Sequence, residues 1–141
     1  MDELTDFLKT QKILQIAPKA PEPWIANVYM GCERPDKLFF IGSPRTRYGD
    51  LLTSDGTLAF ATAWHDDADH MNRKGVQGTG RAVFTTDKDE IETGVRLHNQ
   101  NFPEFAEKIT VEWVNDNDYG SGVWIVVPTY IKFWNDELYG P

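Results

Sequence analysis

The chain has 141 residues, of which 14 are basic and 22 acidic, for a formal net charge of -8. This length favours one domain with a single core, and the acidic balance argues against a broad nucleic-acid surface and against docking on anionic membranes. No apolar run reaches the roughly 18 residues of a membrane-spanning helix, and the acidic start of the chain does not resemble a signal peptide, so we expect a cytoplasmic protein.

In chain order, residues 3–16 come first, and their apolar positions recur near a 3.6-residue period, which predicts one helix. Prolines at 18, 21 and 23 end this helix and keep residues 17–23 extended. Residues 24–30 then alternate in the manner of a strand and lead to Cys32, the only cysteine, which we interpret as an ordinary strand-end residue. Residues 37–42 are nearly all apolar, as expected for a strand buried on both faces.

A basic turn, Ser43-Pro44-Arg45-Thr46-Arg47, follows that strand. Its two arginines supply paired guanidinium forks beside two hydroxyl groups and the amides of the turn, which is the chemistry that binds phosphate. A short helix over 48–53 and a turn at 54–56 come next. Residues 57–64 alternate large and small side chains, a pattern that suits the wall of a curved barrel.

Residues 65–74 form a polar loop that contains His65, His70 and three aspartates. These side chains are possible metal ligands, but a five-residue spacing in a loop fixes no coordination geometry. We interpret the loop as solvated and predict no metal site. The strand at 75–85 follows, and the small residues Gly78, Gly80 and Ala82 on one of its faces predict close approach by another backbone or a ligand.

Asp87 with Glu90 predicts the start of a helix that continues to about residue 101, before Pro103. His98 lies on the apolar stripe of this helix, and we interpret it as a packed, hydrogen-bonded residue. Residues 109–114 and 121–134 are predicted to be the last strands, with a bend or edge at Pro128. Six or seven short strands with two or three inserted helices favour a mostly β protein with a closed antiparallel barrel.

The order of these elements resembles the FMN-binding split-barrel superfamily, the pyridoxamine 5'-phosphate oxidase-like proteins. The resemblance is carried by the Ser43–Arg47 turn, the helix after it, Asp55-Gly56, the strand 57–64 and Gly80-Arg81-Ala82. It implies one split-barrel domain of Greek-key type over residues 1–141, with six or seven strands. It also implies a homodimer with FMN in grooves between the subunits.

The same resemblance implies cofactor-binding residues. Arg45, Thr46 and Arg47 would hold the 5'-phosphate with help from Ser43, and Ala26, Asn27 and Val28 would line the isoalloxazine ring. Phe40 and Ile41 would flank the ring or the ribityl chain. Lys74 and Gln77 would lie in the segment that places polar groups against the flavin, and Trp134, or Trp124, would close the ring face from the partner subunit.

The implied function is that of an FMN-dependent oxidoreductase with a small, unidentified substrate. The chain departs from pyridoxine-phosphate oxidases in two ways: Gly75 stands about where they carry a glutamine, and no arginine follows Arg96. Oxidation of vitamin B6 is therefore not expected. Two alternatives stay open, namely a flavin or haem carrier of the same fold without turnover and a ligand-free interaction domain. The catalytic residues are unknown at this point, because no nucleophile with a partnered histidine is evident.

Overall fold

The computed structural model describes residues 2–140, and six antiparallel strands form a closed barrel within them. The strands are β1 (Ile13–Pro18), β2 (Ala26–Arg34), β3 (Lys37–Gly42), β4 (Thr57–Trp64), β5 (Lys74–Phe84) and β6 (Gly122–Asn135). Around the barrel they run in the order β1-β2-β3-β6-β5-β4, and β4 closes onto β1. This confirms the predicted mostly β barrel.

Within residues 2–140, five helices and one 3-10 turn connect or flank these strands. The helices are α1 (Glu3–Thr10), α2 (Arg47–Ser54), α3 (Lys88–Asn101), α4 (Val111–Asn115) and α5 (Asp136–Tyr139), and the 3-10 turn is Pro103–Phe105. The predicted start of α3 is confirmed, because the Asp87 side chain accepts a hydrogen bond of 2.9 Å from the amide of Glu90. No helix among residues 2–140 is long and apolar enough to cross a membrane.

The inner face of the barrel carries the main core. The alternation in β4 shows how the sequence divides the two faces: Leu58, Phe60 and Thr62 are buried, whereas Ala59 and Ala63 are exposed. A second apolar cluster lies outside the barrel, where Val95 and Leu97 of α3 pack with residues of β3 and β6. Helix α3 therefore covers the part of the barrel formed by β2, β3 and β6.

Two predicted elements are wrong. Residues 3–16 are not one helix, because α1 ends at Thr10 and residues 13–18 form β1, where Ile13 pairs with Tyr29 of β2 and Ile16 with Phe60 of β4. Residues 109–114 are not a strand. The Thr110 hydroxyl accepts a hydrogen bond of 3.1 Å from the amide of Trp113 and thereby caps the short helix α4.

The predicted irregularity at Pro128 is confirmed as a bulge between β5 and β6. The register shifts there, since Thr79 pairs with Tyr130 whereas Gly80 pairs with Pro128. A Cβ atom added to Gly80 would lie 2.6 Å from the carbonyl oxygen of Val127. The small side chain at this position therefore allows the close approach of another backbone, as the sequence predicts.

Cys32 lies in β2 with its side chain in the barrel core, and we expect it to be unreactive in the folded protein. Burial is the largest cause that raises the pKa of this thiol to about 12, and Asp36 adds to the effect. At about pH 8, roughly one thiol in ten thousand would then be ionised. A chromogenic thiol reagent should label the denatured protein rapidly and the native protein only as fast as it unfolds. Equal labelling of the two would contradict this assignment.

Candidate functional site

The basic turn lies between the end of β3 and the start of α2, and local hydrogen bonds fix its shape. The Thr46 hydroxyl caps α2: it accepts from the amide of Gly49 at 3.1 Å and donates to the carbonyl of Ser43 at 2.7 Å. The first helical bond runs from the amide of Asp50 to the carbonyl of Thr46. The amides of Arg47 and Tyr48 precede this bond and point out of the start of the helix, where the dipole favours an anion.

The Ser43 hydroxyl also holds the turn in place. It donates to the carbonyl of Tyr119 at 2.6 Å and accepts from the amide of Arg45 at 3.0 Å. This pair of bonds ties the turn to the loop before β6. Both hydroxyls of the predicted phosphate site are thus engaged in shaping the turn, and the two guanidinium groups and the helix amides are the groups left to meet an anion.

The two guanidinium groups are exposed and have partners on opposite sides of the turn. Arg45 donates from Nη1 to the carbonyl of Asp118 at 2.8 Å. Arg47 pairs with Glu22, and its guanidinium lies 4.8 Å from the centre of the Trp24 ring. The Arg47 and Glu22 side chains are 50% and 64% exposed, so this ion pair contributes only about 0–1 kcal/mol and can be exchanged for a stronger anion.

A groove of about 340 Å³ lies beside the turn. The groove is lined by Ile41, two residues before the turn, by Tyr48, directly after it, and by Ser121, the neighbour of Gly120, which the Arg45 side chain approaches. We call it the aromatic groove, and its walls are formed by Asn27, Val28, Tyr29, Ile41, Tyr48, His98, Phe105, Ile109, Trp113 and Ser121.

The aromatic groove has no carboxylate, lysine or arginine among these lining residues. Its titratable groups are therefore the His98 imidazole and the phenols of Tyr29 and Tyr48. Burial raises the pKa of Tyr48, so this phenol stays protonated at neutral pH and keeps a hydrogen to donate. The Tyr48 hydroxyl contacts Gly42, where no larger side chain would fit. Such a neutral, flat-walled cleft suits an aromatic ring.

Three of the predicted cofactor residues, Asn27, Val28 and Ile41, meet in the aromatic groove. Ala26 and Phe40 do not line it. Phe40 is 1% exposed and packs inside the barrel against Trp124, which is also 1% exposed, and Ala26 packs against the same core. Ala26 precedes Asn27 in β2 and Phe40 precedes Ile41 in β3, so each is the direct neighbour of a groove residue.

Lys74, Gln77 and Trp134 lie away from the aromatic groove, on the paired strands β5 and β6. The Lys74 ammonium pairs with Glu137 at 2.8 Å and lies 4.8 Å from the centre of the Trp64 ring. Trp134 packs against Gly75. Gln77 lines a separate apolar hollow of about 410 Å³ that is formed largely by residues of β1, β4 and β5. The structure does not bring these three predicted residues together with the basic turn.

The sequence does not predict seven residues of the groove: Tyr29, Tyr48, His98, Phe105, Ile109, Trp113 and Ser121. Its patterns place Tyr29 in a strand and His98 on an apolar helix stripe, and neither pattern indicates that the two rings meet. Tyr29 stacks on Phe102 with ring centres 4.1 Å apart, and its ring centre lies 6.4 Å from that of His98.

The two histidines of the acidic loop lie together at the surface. Nε2 of His65 is 2.9 Å from Nδ1 of His70, and Nδ1 of His65 is 3.2 Å from a carboxylate oxygen of Asp67. Within residues 2–140, no group of three or more metal-ligating side chains is placed to hold a metal ion. The loop is not part of the aromatic groove.

No protein-family model and no curated protein matches the sequence. Solved structures share its fold. A candidate pyridoxamine 5'-phosphate oxidase from Listeria innocua is 12% identical, with a TM-score of 0.67, and the match covers 94% of this chain and 99% of that one. An FAD-binding protein from Mesorhizobium loti is 14% identical, with a TM-score of 0.64 and coverage of 93% and 89%.

The haem storage protein HutZ from Vibrio cholerae also has this fold. It is 14% identical, with a TM-score of 0.66, and the match covers 94% of this chain and 92% of that one. At such identities, the likeness establishes the arrangement of the backbone and nothing about a shared ligand.

Proposed function

We propose that this chain, which has the split-barrel fold of the pyridoxamine 5'-phosphate oxidase-like proteins, binds FMN and uses it as an oxidoreductase on a small substrate. One observation carries the proposal: a turn with two exposed guanidinium groups leads into α2, and the residues that flank this turn, Ile41 and Tyr48, line an uncharged groove with aromatic walls. A cationic anchor beside a flat apolar cleft matches a molecule with a phosphate at one end and an aromatic ring at the other.

The flavin is favoured by the names of two structural neighbours, one a candidate pyridoxamine 5'-phosphate oxidase and the other FAD-binding. FMN is favoured over FAD because the basic turn is one five-residue segment with two arginines, which suits a terminal phosphate with two negative charges more than an internal diphosphate. The Arg47–Glu22 pair is the contact that such a phosphate would replace.

Each residue near the site has a definite task in this proposal. Arg45, Arg47 and the first amides of α2 bind the phosphate, while Ser43 and Thr46 hold the turn in the required shape. Asn27, Val28 and Ile41 line the ring. When bound, the flavin supplies the electron or hydride transfer itself. The protein orients the ring, keeps charge away from it and excludes water from the faces that it covers.

Reduction of the FMN-loaded protein distinguishes an enzyme from a carrier. Protein loaded with FMN and mixed with NADH or NADPH without oxygen should lose the visible absorbance of the flavin. A flavin that stays oxidised with every such reductant would favour a carrier. Binding of haem with a Soret band, in place of FMN, would favour a haem-binding protein of the same fold.

We also propose that a second copy of the chain covers the apolar hollow on the β1-β4-β5 face. Small side chains such as Ala17, Ala59 and Ala61 line this hollow, and its rim includes Ile25 and Tyr130, which are 66% and 62% exposed. Exposed apolar area of this kind marks an interaction surface. Gln77 lines this hollow, and Trp134, which pairs with Gly75, is on the same face of the sheet, so these two would reach a flavin from the partner subunit.

Replacing Ala61 by arginine should convert the dimer into a monomer, because the new charge would be buried without a partner. Light scattering should give twice the 16.1 kDa chain mass for the native protein and one chain mass for Ala61→Arg. Ala68→Arg in the exposed loop is the matched control and should stay dimeric. A monomeric native protein, or a dimeric Ala61→Arg variant, would contradict this interface.

A further inference from the structure

His98 lies in the last turn of α3 and is 6% exposed, yet its ring lines the aromatic groove. The rings of Tyr29 and Phe105 have centres 6.4 Å and 5.9 Å from the imidazole centre. A buried histidine in apolar surroundings needs partners for both ring nitrogens, since an unpaired polar atom costs about 1–3 kcal/mol.

The hydrogen bonds of Asn99 fix the tautomer of His98. Its amide nitrogen donates to the carbonyl of Ile109 at 2.8 Å, which leaves Oδ1 to face the histidine. Oδ1 lies 3.0 Å from Nδ1 of His98 and can only accept, so Nδ1 carries the hydrogen. The other ring nitrogen, Nε2, is then a lone-pair acceptor in the neutral imidazole.

Nε2 has no hydrogen-bond partner among residues 2–140, and the ring that carries it lines the groove. Nε2 is not fully enclosed, because Oδ1 of Asn72 is the one fully enclosed side-chain polar atom without a partner in this part of the chain. The amide oxygen of Asn27, another acceptor on the groove wall, is already engaged by the side chain of Gln15 at 3.0 Å. His98 therefore presents a free, preoriented acceptor to whatever fills the groove.

We infer that Nε2 of His98 accepts a hydrogen bond from a ring N–H of the bound ligand and so selects rings that carry this donor. The inference rests on the proposed function for the identity of the ring. The oxidised isoalloxazine has one ring N–H, at N3, which is the group that fits an acceptor. A ring without this hydrogen would leave Nε2 buried and unpaired, which is how a polar site rejects close analogues.

A comparison of FMN with N3-methyl-FMN tests the contact. In the native protein, methylation should weaken binding about two- to tenfold, the range for one neutral hydrogen bond. In His98→Phe the two flavins should bind equally, and His98→Gln should restore part of the preference. Equal binding of the two flavins to the native protein, or the same preference in native protein and His98→Phe, would overturn the contact.

Nitrogen NMR of the imidazole gives a second reading that does not depend on activity. We expect His98 in the tautomer with hydrogen on Nδ1, and we expect the Nε2 signal to move when FMN is added. An Nε2–H tautomer would overturn the inference. Failure of FMN to bind the native protein would overturn both the proposed function and this inference, whereas FMN binding without a response of His98 would overturn this inference alone.

Discussion

Alanine at both Arg45 and Arg47 is expected to weaken FMN binding by at least about a hundredfold while the protein stays folded. A charge-assisted hydrogen bond to phosphate contributes about 1.5–3 kcal/mol, so each guanidinium accounts for about ten- to a hundredfold. Both side chains are exposed, and their present partners are a carbonyl and a surface carboxylate. The barrel core loses no contact in the double variant.

Fluorescence titration of FMN against the native protein and the double variant measures the effect. Arg34→Ala is the control for loss of an exposed arginine elsewhere in the chain, at the β2–β3 hairpin, where Arg34 is 75% exposed and pairs with Asp36. The control should bind FMN as the native protein does. A double variant with native affinity would show that the basic turn does not hold the phosphate.

Alanine at Trp124 is expected to lower the free energy of unfolding by about 3–5 kcal/mol, the usual cost of removing a large aromatic side chain from a core. Trp124 is 1% exposed, lies nearly parallel to Phe40 with ring centres 5.8 Å apart, and contacts Phe84. Its Nε1 donates to the carbonyl of Gly42 at 3.2 Å, directly before the basic turn. The variant therefore loses packing and a bond that holds the end of β3.

Denaturant unfolding followed by circular dichroism measures this loss. Trp64→Ala is the control, because Trp64 is 37% exposed at the end of β4 and should cost much less. A folded domain is commonly stable by about 5–15 kcal/mol, so Trp124→Ala removes a large share of the total. Equal stability of the two variants would contradict the placement of Trp124 in the core.

The parts of the fold that the sequence predicts well are those with a local cause. The helix α3 has its own capping signal at Asp87, and β4 has a two-residue alternation that only a half-buried strand satisfies. The errors fall where tertiary pairing decides. Ile13 and Ile16 depart from the helical period of residues 3–16, and pairing with β2 and β4 places them in a strand.

The short helix α4 is the second element that the sequence pattern predicts wrongly. Its alternating residues look like a strand, but Thr110 caps a turn of helix, and Val111 and Trp113 pack against the cluster outside the barrel. The threonine before this apolar stretch is the feature of the sequence that indicates a helix start.

In the candidate site, too, the sequence predicts the part that is local and does not predict the part that is formed by distant segments. The basic turn is one continuous segment, so its chemistry can be read from residues 43–47 alone. The aromatic groove joins residues of β2, β3, α2, α3 and the segment before β6, which are far apart in the sequence. Sequence periodicity placed His98 in a core, correctly for its burial, but it gives no sign that one ring nitrogen faces a cavity.

The central claim is that the basic turn anchors a terminal phosphate, and riboflavin tests it most directly because it is FMN without that phosphate. Titration of both flavins into one sample of native protein at low salt should show FMN bound at least about tenfold more tightly, with the difference shrinking as salt is added. Equal affinities for FMN and riboflavin at low salt would contradict the account.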